Sequence, residues 1–292
     1  MDLIQRIGQI IIPVFFIVGV GYWYGRKVKP DLTSFNRIVL DVLAPVLVYS
    51  ALAAREFRLQ DHLLLLLGGT LLIAGCGLLG WALSRATGAN PRTLVPVVMF
   101  NNCGNMGLPL ALLAFGPANF GAAVALFSIS NLIHFSVGAR ITSSKASTRE
   151  LLLSPLMLAT ILGFASAWSG VRPPDMILSG MKLLGEAMLP MMLLALGVRL
   201  TALRRQSVPL GLLGAFARPT AGLLVALPLV WALGLDASAR GQLILFAALP
   251  PAVLQFMLAE RYRQEPEKVA AMVLLGNAMA VVFIPLALAL AL

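Results

Sequence analysis

The chain has 292 residues, of which 59% are hydrophobic and only 12% charged, and its mean hydropathy is +0.90. A soluble domain carries roughly twice that charged fraction. These figures exclude a water-soluble enzyme domain, a disordered chain, a collagen-like repeat and a disulfide scaffold, and they make lipid the solvent. The net charge of +10 does not indicate a nucleic-acid partner. The 22 Lys and Arg residues are scattered between apolar runs without a basic face, as the loops of a membrane protein require. Cys76 and Cys103 both sit inside apolar stretches and carry no redox signal.

A membrane-spanning helix needs about 20 predominantly apolar residues. In chain order, segments near 7–25, 36–54, 61–84, 94–115, 119–140, 151–169, 176–198, 207–233, 241–259 and 268–291 qualify, which predicts an all-α integral membrane protein of ten transmembrane helices. The first is not a cleaved signal, because GYWYGRKVKP offers no small-residue cleavage site. One end of the bundle collects Arg26, Lys27, Lys29, Arg37, Arg85, Arg92, Arg140, Lys145, Arg149, Arg199, Arg204, Arg205, Arg261, Arg263 and Lys268. The other end has only Arg6, Arg55, Arg58, Arg172, Lys182 and Arg240. Positive-inside then places both termini on the non-cytoplasmic side of the inner membrane.

The second half echoes the first. Segment 2 reads Arg37, Asp41, Pro45 and segment 7 reads Lys182, Glu186, Pro190. Asn131 in segment 5 answers to Asn277 in segment 10, Phe100 to Phe246, and the pair Pro13 and Gly21 to Pro155 and Gly163. The offsets stay close to 145 residues. Five spans per copy is an odd number, so the second copy enters the membrane inverted, an architecture common to secondary transporters with alternating access.

Segment 4 contains Phe100-Asn101-Asn102-Cys103-Gly104-Asn105-Met106-Gly107-Leu108-Pro109. Three asparagines, Gly104, Gly107 and Pro109 at membrane depth imply an unwound backbone that faces protein or water. Pro109 suits the first turn of a restarted helix, with Asn105 placed to cap it. Segment 9 carries the matching interruption at Pro250 and Pro251, followed by Gln255. Each restarted half-helix offers free N–H groups and a partial positive charge to the membrane centre, so Asn101, Asn102, Asn105 and Gln255 surround a site suited to a carboxylate. The competing reading, that the same prolines merely kink two packed helices with Asn as interhelical glue, is the weaker one, because paired breaks at equivalent positions are what transporter sites look like.

Arg218 lies near the middle of segment 8, where an unpaired charge costs roughly 2.5–3.5 kcal/mol. It therefore either attracts the anion or caps the carbonyl end of a broken helix. Asp41 and Glu186 follow Arg37 and Lys182 by four residues, which reads as structural ion pairing. His134 lies three residues after Asn131 and is a candidate proton acceptor, and Asn277 in segment 10 is a further candidate for ion coupling; packing is the competing role for His134. Two histidines without carboxylate companions provide no metal site and no catalytic set, so neither an enzyme nor a cofactor is expected.

The runs NNCGNMGLPL and ALPPAVLQFMLAERYRQEP resemble the auxin efflux carrier family, whose bacterial members have short loops and whose fold is shared with the bile acid:sodium symporters. The resemblance implies a scaffold and dimerisation domain from helices 1, 2, 6 and 7 (residues 1–58 and 150–200). It also implies a transport domain from helices 3–5 and 8–10 (residues 59–149 and 201–292), crossed helices 4 and 9 at the site, homodimers and elevator-type movement. Alignment of the family's crossover pair matches its asparagine at Asn102, and a substrate-proximal polar residue falls at Asn131. The loop at 141–150 is too short for the regulatory loop of the long plant carriers. The expected activity is carriage of a small organic anion held where helices 4 and 9 cross. The alternatives are a sodium-coupled symporter, against which the acidic residue expected for a sodium site is not apparent, and an anion channel.

Overall fold

The computed structural model describes residues 2–54, 57–144, 146–147, 153–202 and 208–292, with residues 208–210 as backbone only. Arg55, Lys145, Arg149, Arg204 and Arg205, five of the bases used to orient the bundle, lie outside the described residues. The helical segments are α1 (Leu3–Val28), α2 (Thr33–Leu52), α3 (Leu59–Thr87), α4 (Pro91–Met99), α5 (Cys103–Phe115), α6 (Pro117–Thr142), α7 (Pro155–Ser169), α8 (Asp175–Leu200), α9 (Val208–Ala232), α10 (Ala237–Ala248), α11 (Val253–Tyr262) and α12 (Pro266–Ala291). The described residues form no strand.

Seven of these are long and apolar enough to cross a membrane: α1, α2, α3, α6, α8, the Gly211–Ala232 part of α9, and α12. The chain is thus a helical, multi-pass membrane protein. The fourth predicted segment is divided into α4 and α5 and the ninth into α10 and α11, so none of these four reaches spanning length alone.

Helix ends follow local chemistry. Asn90 accepts the Arg92 backbone N–H at 3.0 Å ahead of Pro91, which begins α4. Asp236 does the same for Ala239 at 2.9 Å at the start of α10. Such caps satisfy donors that the helix cannot.

Packing in lipid relies on close approach rather than on expulsion of water. The tightest example is α1 on α8, where a Cβ on Gly197 would fall 2.1 Å from the Val18 carbonyl oxygen and one on Gly21 2.2 Å from that of Leu194. The second half of α2 packs on α7 and on the first half of α8, while α9 packs on α12, α10 and α3. Gly185 repeats the device: its Cβ would lie 2.7 Å from the Leu47 Cα.

The ion pairs expected along α2 and α8 do not form. Arg37, Asp41, Lys182 and Glu186 are all exposed and, among the described residues, none is in an ion pair. Residues Val39–Leu43 form a π turn, which widens the helix between Arg37 and Asp41 and changes the angle between side chains four apart. Glu186 is the last residue before α8 is interrupted at Ala187. Exposed pairs of this kind contribute little in any case.

Candidate functional site

The two interruptions meet. Phe100 (φ −108°, ψ 134°) leaves α4 in extended conformation, as do Leu249 (ψ 145°) after α10 and Ala252 (ψ 129°) before α11. Asn101 and Pro251 form an isolated antiparallel bridge. The Asn102 N–H donates to the Pro250 carbonyl at 2.8 Å, and the Ala252 N–H to the Phe100 carbonyl at 3.1 Å. Backbone groups at membrane depth must find partners inside the protein, and here each unwound strand supplies the other's. Pro250 and Pro251 fit because this stretch needs their carbonyls and not the N–H groups they lack.

The position of the first interruption differs from the sequence expectation. The break occupies Phe100–Asn102, upstream of Gly104, Asn105, Gly107 and Pro109, all of which lie inside α5. Asn102, not Asn105, is the N-cap residue, and its carbonyl accepts the Met106 and Gly107 N–H groups at 3.2 and 3.1 Å. Cys103–Gly107 is a π turn whose wider spacing sends the Leu108 N–H to the Cys103 carbonyl. The turn accommodates Pro109, which has no N–H for the Asn105 carbonyl and carries a ring that crowds it. In the second interruption Pro250 and Pro251 do sit in the unwound stretch.

The amide side chains at the crossing hold it together. Asn102 Nδ2 donates to Asn277 Oδ1 at 2.6 Å, and Asn277 Nδ2 donates to the Pro251 and Val273 carbonyls at 3.0 and 2.8 Å. Asn101 Nδ2 donates to the Phe246 carbonyl at 2.5 Å, leaving Asn101 Oδ1 buried without a partner. Gly276 admits α12 to this contact, since a Cβ there would lie 2.6 Å from Pro251 Cδ.

A cavity of about 70 Å³ opens beside the crossing. The first turn of α5 (Cys103, Gly104, Asn105) and the start of α11 (Ala252, Val253, Leu254) both line it, together with Asn101, Asn102, Asn131 and His134. Asn105 is buried, yet its side chain makes no hydrogen bond among the described residues. Asn131 Nδ2 is taken by the Phe127 carbonyl at 3.0 Å within α6.

Gln255, Asn277 and Arg218 are not on the cavity wall. Gln255 is fully buried and links His134 to Thr142: its Oε1 lies 3.0 Å from His134 Nε2, and its Nε2 donates to Thr142 Oγ1 at 3.1 Å. Thr142 Oγ1 donates in turn to the Gly138 carbonyl at 2.9 Å. This fixes the direction of the chain, so His134 Nε2 carries the donated proton and Nδ1 keeps the lone pair. The His134 ring stacks on Phe100, with centroids 3.8 Å apart and planes at 2°.

Arg218 has no exposure. Its Nη1 donates to the Ala247 carbonyl at 3.1 Å in the last turn of α10 and lies 3.7 Å from Cys76 Sγ, while Nε and Nη2 are without partners. Of its two candidate roles, the geometry matches a cap on the carbonyl end of a broken helix, where the dipole favours a cation.

Residues 7–141 and 138–288 match the family described as "Membrane transport protein". The chain belongs to that family, the auxin efflux carriers. It is also 24% identical over 297 residues, covering 94% of this chain and 93% of the relative, to a Rhizobium meliloti (strain 1021) protein named "Putative malonate transporter". The protein is a membrane transporter rather than an enzyme, and a small molecule is its substrate.

The transporter's cavity has a second wall that the sequence reading missed. Val39, Leu40 and Ala44 with Asn36 on α2, and Met188, Met192 and Ala195 with Arg199 on α8, face the crossing. Arg199 had been counted as a loop base because it ends an apolar run. The available signal was periodicity: positions 188, 192, 195 and 199 fall on one helix face. A second cavity of about 280 Å³ lies toward the other end of α2 and α8, lined by Ser50, His62, Lys182 and Glu186 among others.

Proposed function

We propose that the protein is a secondary carrier that moves a small organic anion across the inner membrane by alternating access, holding the anion beside the crossing of its two interrupted helices. One observation carries this reading: the N-terminal turns of α5 and α11 converge on a single cavity. Unsatisfied N–H groups and aligned peptide dipoles make such ends favourable for anions, and Asn105, Asn131 and His134 add polar groups without a fixed negative charge. A cavity near 70 Å³ has room for about five to seven waters at ~10–15 Å³ each, which suits a short carboxylate better than a large aromatic acid.

The wider architecture proposed with it is ten spans in two inverted repeats of five. The two interruptions and the Asn131/Asn277 correspondence support it. Residues 1–58 and 150–200 form the scaffold and the homodimer contact; residues 59–149 and 201–292 form the moving domain of an elevator. The glycine-mediated packing of α1 on α8 and the separate packing of α9 on α12, α10 and α3 agree with that division. Both termini lie on the non-cytoplasmic side. Export of an anion is then driven by the membrane potential at about 2.3 kcal/mol per charge per 100 mV, and uptake requires a symported cation.

Sodium coupling is the second reading, and Asn101 Oδ1 favours it: a buried acceptor without a partner suits a cation or a protonated ligand. His134 and Asn277 are the corresponding candidates for proton or ion coupling.

The test is counterflow in proteoliposomes preloaded with short carboxylates, with and without sodium. Saturable uptake stimulated by internal substrate, and reduced about tenfold at subsaturating substrate in Asn105→Ala, is the expected result. Flux that neither saturates nor responds to internal substrate would make the protein a channel, and carboxylate uptake unchanged in Asn105→Ala would misplace the site.

A further inference from the structure

The cavity wall formed by α2 and α8 carries a cation that the crossing does not use. Arg199, in the last turn of α8, lines the cavity beside Asn36 of α2. Its Nη2 donates to Asn36 Oδ1 at 2.9 Å, and its Nε is buried without a partner. No carboxylate lies within ion-pair distance among the described residues; Glu260 of α11 acts on Arg199 only through space. A guanidinium has five N–H donors in a planar fork that matches a carboxylate, and here Asn36 fixes one arm while others remain unspent. Holding a charge without a carboxylate in contact is costly where it is partly buried, and the cost falls when an anion arrives.

We propose that Arg199, oriented by Asn36, is a second anion-binding point of the same cavity, so that the site takes short acids with two anionic groups, one at the half-helix ends and one at Arg199. The proposal rests on the carboxylate reading of the crossing and adds a preference to it. The first group meets neutral donors, Asn105 and the free N–H groups of α5 and α11. The second meets a full charge on α8, an element that packs chiefly on α1 and α2 and touches the first turn of α5 across the cavity. A monocarboxylate satisfies only one of these points.

Calorimetric titration of the purified full-length protein with malonate and succinate, and with acetate and propionate, tests this in wild type, Arg199→Gln, Arg199→Lys and Asn36→Ala. Wild type should bind the three-carbon diacid at least tenfold more tightly than the three-carbon monoacid. Arg199→Gln should lose that preference while its propionate affinity stays within about twofold, and Arg199→Lys should retain part of it. Asn36→Ala, which leaves the charge but frees its orientation, should fall between wild type and Arg199→Gln. Arg199→Gln weakening both acids equally, or neither, would overturn the proposal, as would a diacid preference undiminished in both Arg199→Lys and Asn36→Ala if the glutamine variant does not fold. Binding of neither class to wild type would instead overturn the carboxylate reading itself.

Discussion

The two interruptions do different work. The first, Phe100–Asn102, is rich in side-chain amides and leads directly into a π turn whose residues form the cavity wall. The second, Leu249–Ala252, contributes backbone: two prolines without N–H groups, two carbonyls that accept from Asn102 and Asn277, and one N–H that donates to Phe100. The lesson is that polar residues at membrane depth divide into those spent on holding the chain open and those left for a ligand. Asn101, Asn102, Asn277 and Gln255 have their donors committed to protein acceptors. Among the described residues the Asn105 amide does not, and Arg199 commits Nη2 to Asn36 while its Nε stays free.

That division gives a ranked set of outcomes. The largest effect is expected from Asn102→Ala, which removes the donor to Asn277 Oδ1 and leaves a buried acceptor unpaired at about 1–3 kcal/mol. Transport and thermal stability should fall together. In a double-mutant cycle with Asn277→Ala the two losses should fail to add by at least ~0.5 kcal/mol; strict additivity would show that the bond does not hold the crossing.

Arg218→Met comes next. It orphans the Ala247 carbonyl and should lower stability by about 1–3 kcal/mol with anion affinity within twofold of wild type, as read by calorimetry on the surviving folded protein. A large loss of affinity without a loss of stability would return Arg218 to the ligand site. Asn105→Ala should do the reverse. Because its side chain has no protein hydrogen bond to lose, melting temperature should barely move, while affinity falls by about tenfold, the equivalent of ~1.4 kcal/mol.

The smallest effect lies outside the membrane-spanning segments. Glu265, in the turn before α12, accepts from Thr93 Oγ1 at 2.5 Å and from Lys268 Nζ. Lys268 first, then Thr93, hold its carboxyl below the usual carboxylate range. A depressed folded value means that the contribution is present above the unfolded value near 4.3 and is lost as pH falls through the folded one. Glu265→Gln should therefore cost under about 1 kcal/mol at neutral pH. The gap in melting temperature between the two proteins should close as the medium is acidified below about pH 4.

Much of the fold was legible because lipid imposes length and hydropathy on every span. The interruptions were legible for the same reason: Asn, Gly and Pro in segment 4 and paired prolines in segment 9 are expensive there. Their exact register was not, since it depends on which carbonyls of one strand reach which N–H groups of another, and that is set by the crossing rather than by either segment. Pro109 looked like a helix start and proved to be tolerated by a π turn. Arg218 drew notice as a charge in mid-helix but caps a carbonyl through Nη1 away from the cavity wall, whereas Arg199, which lines that wall, escaped notice because a base at the end of an apolar run is what a loop contains. The failed Arg37–Asp41 pair teaches the same point: spacing four apart pairs side chains only while the helix stays regular.

On the proposed function, an anion occupies the cavity between the first turns of α5 and α11. The two cysteines offer a direct measurement, because Cys103 lines that cavity while Cys76 has no exposure and lies against Arg218. Modification of each thiol by methyl methanethiosulfonate can be followed by mass spectrometry as a short carboxylate is titrated in. Cys103 should become protected along the binding curve while Cys76 does not change. Cys103 reacting at the same rate with and without saturating carboxylate would contradict it.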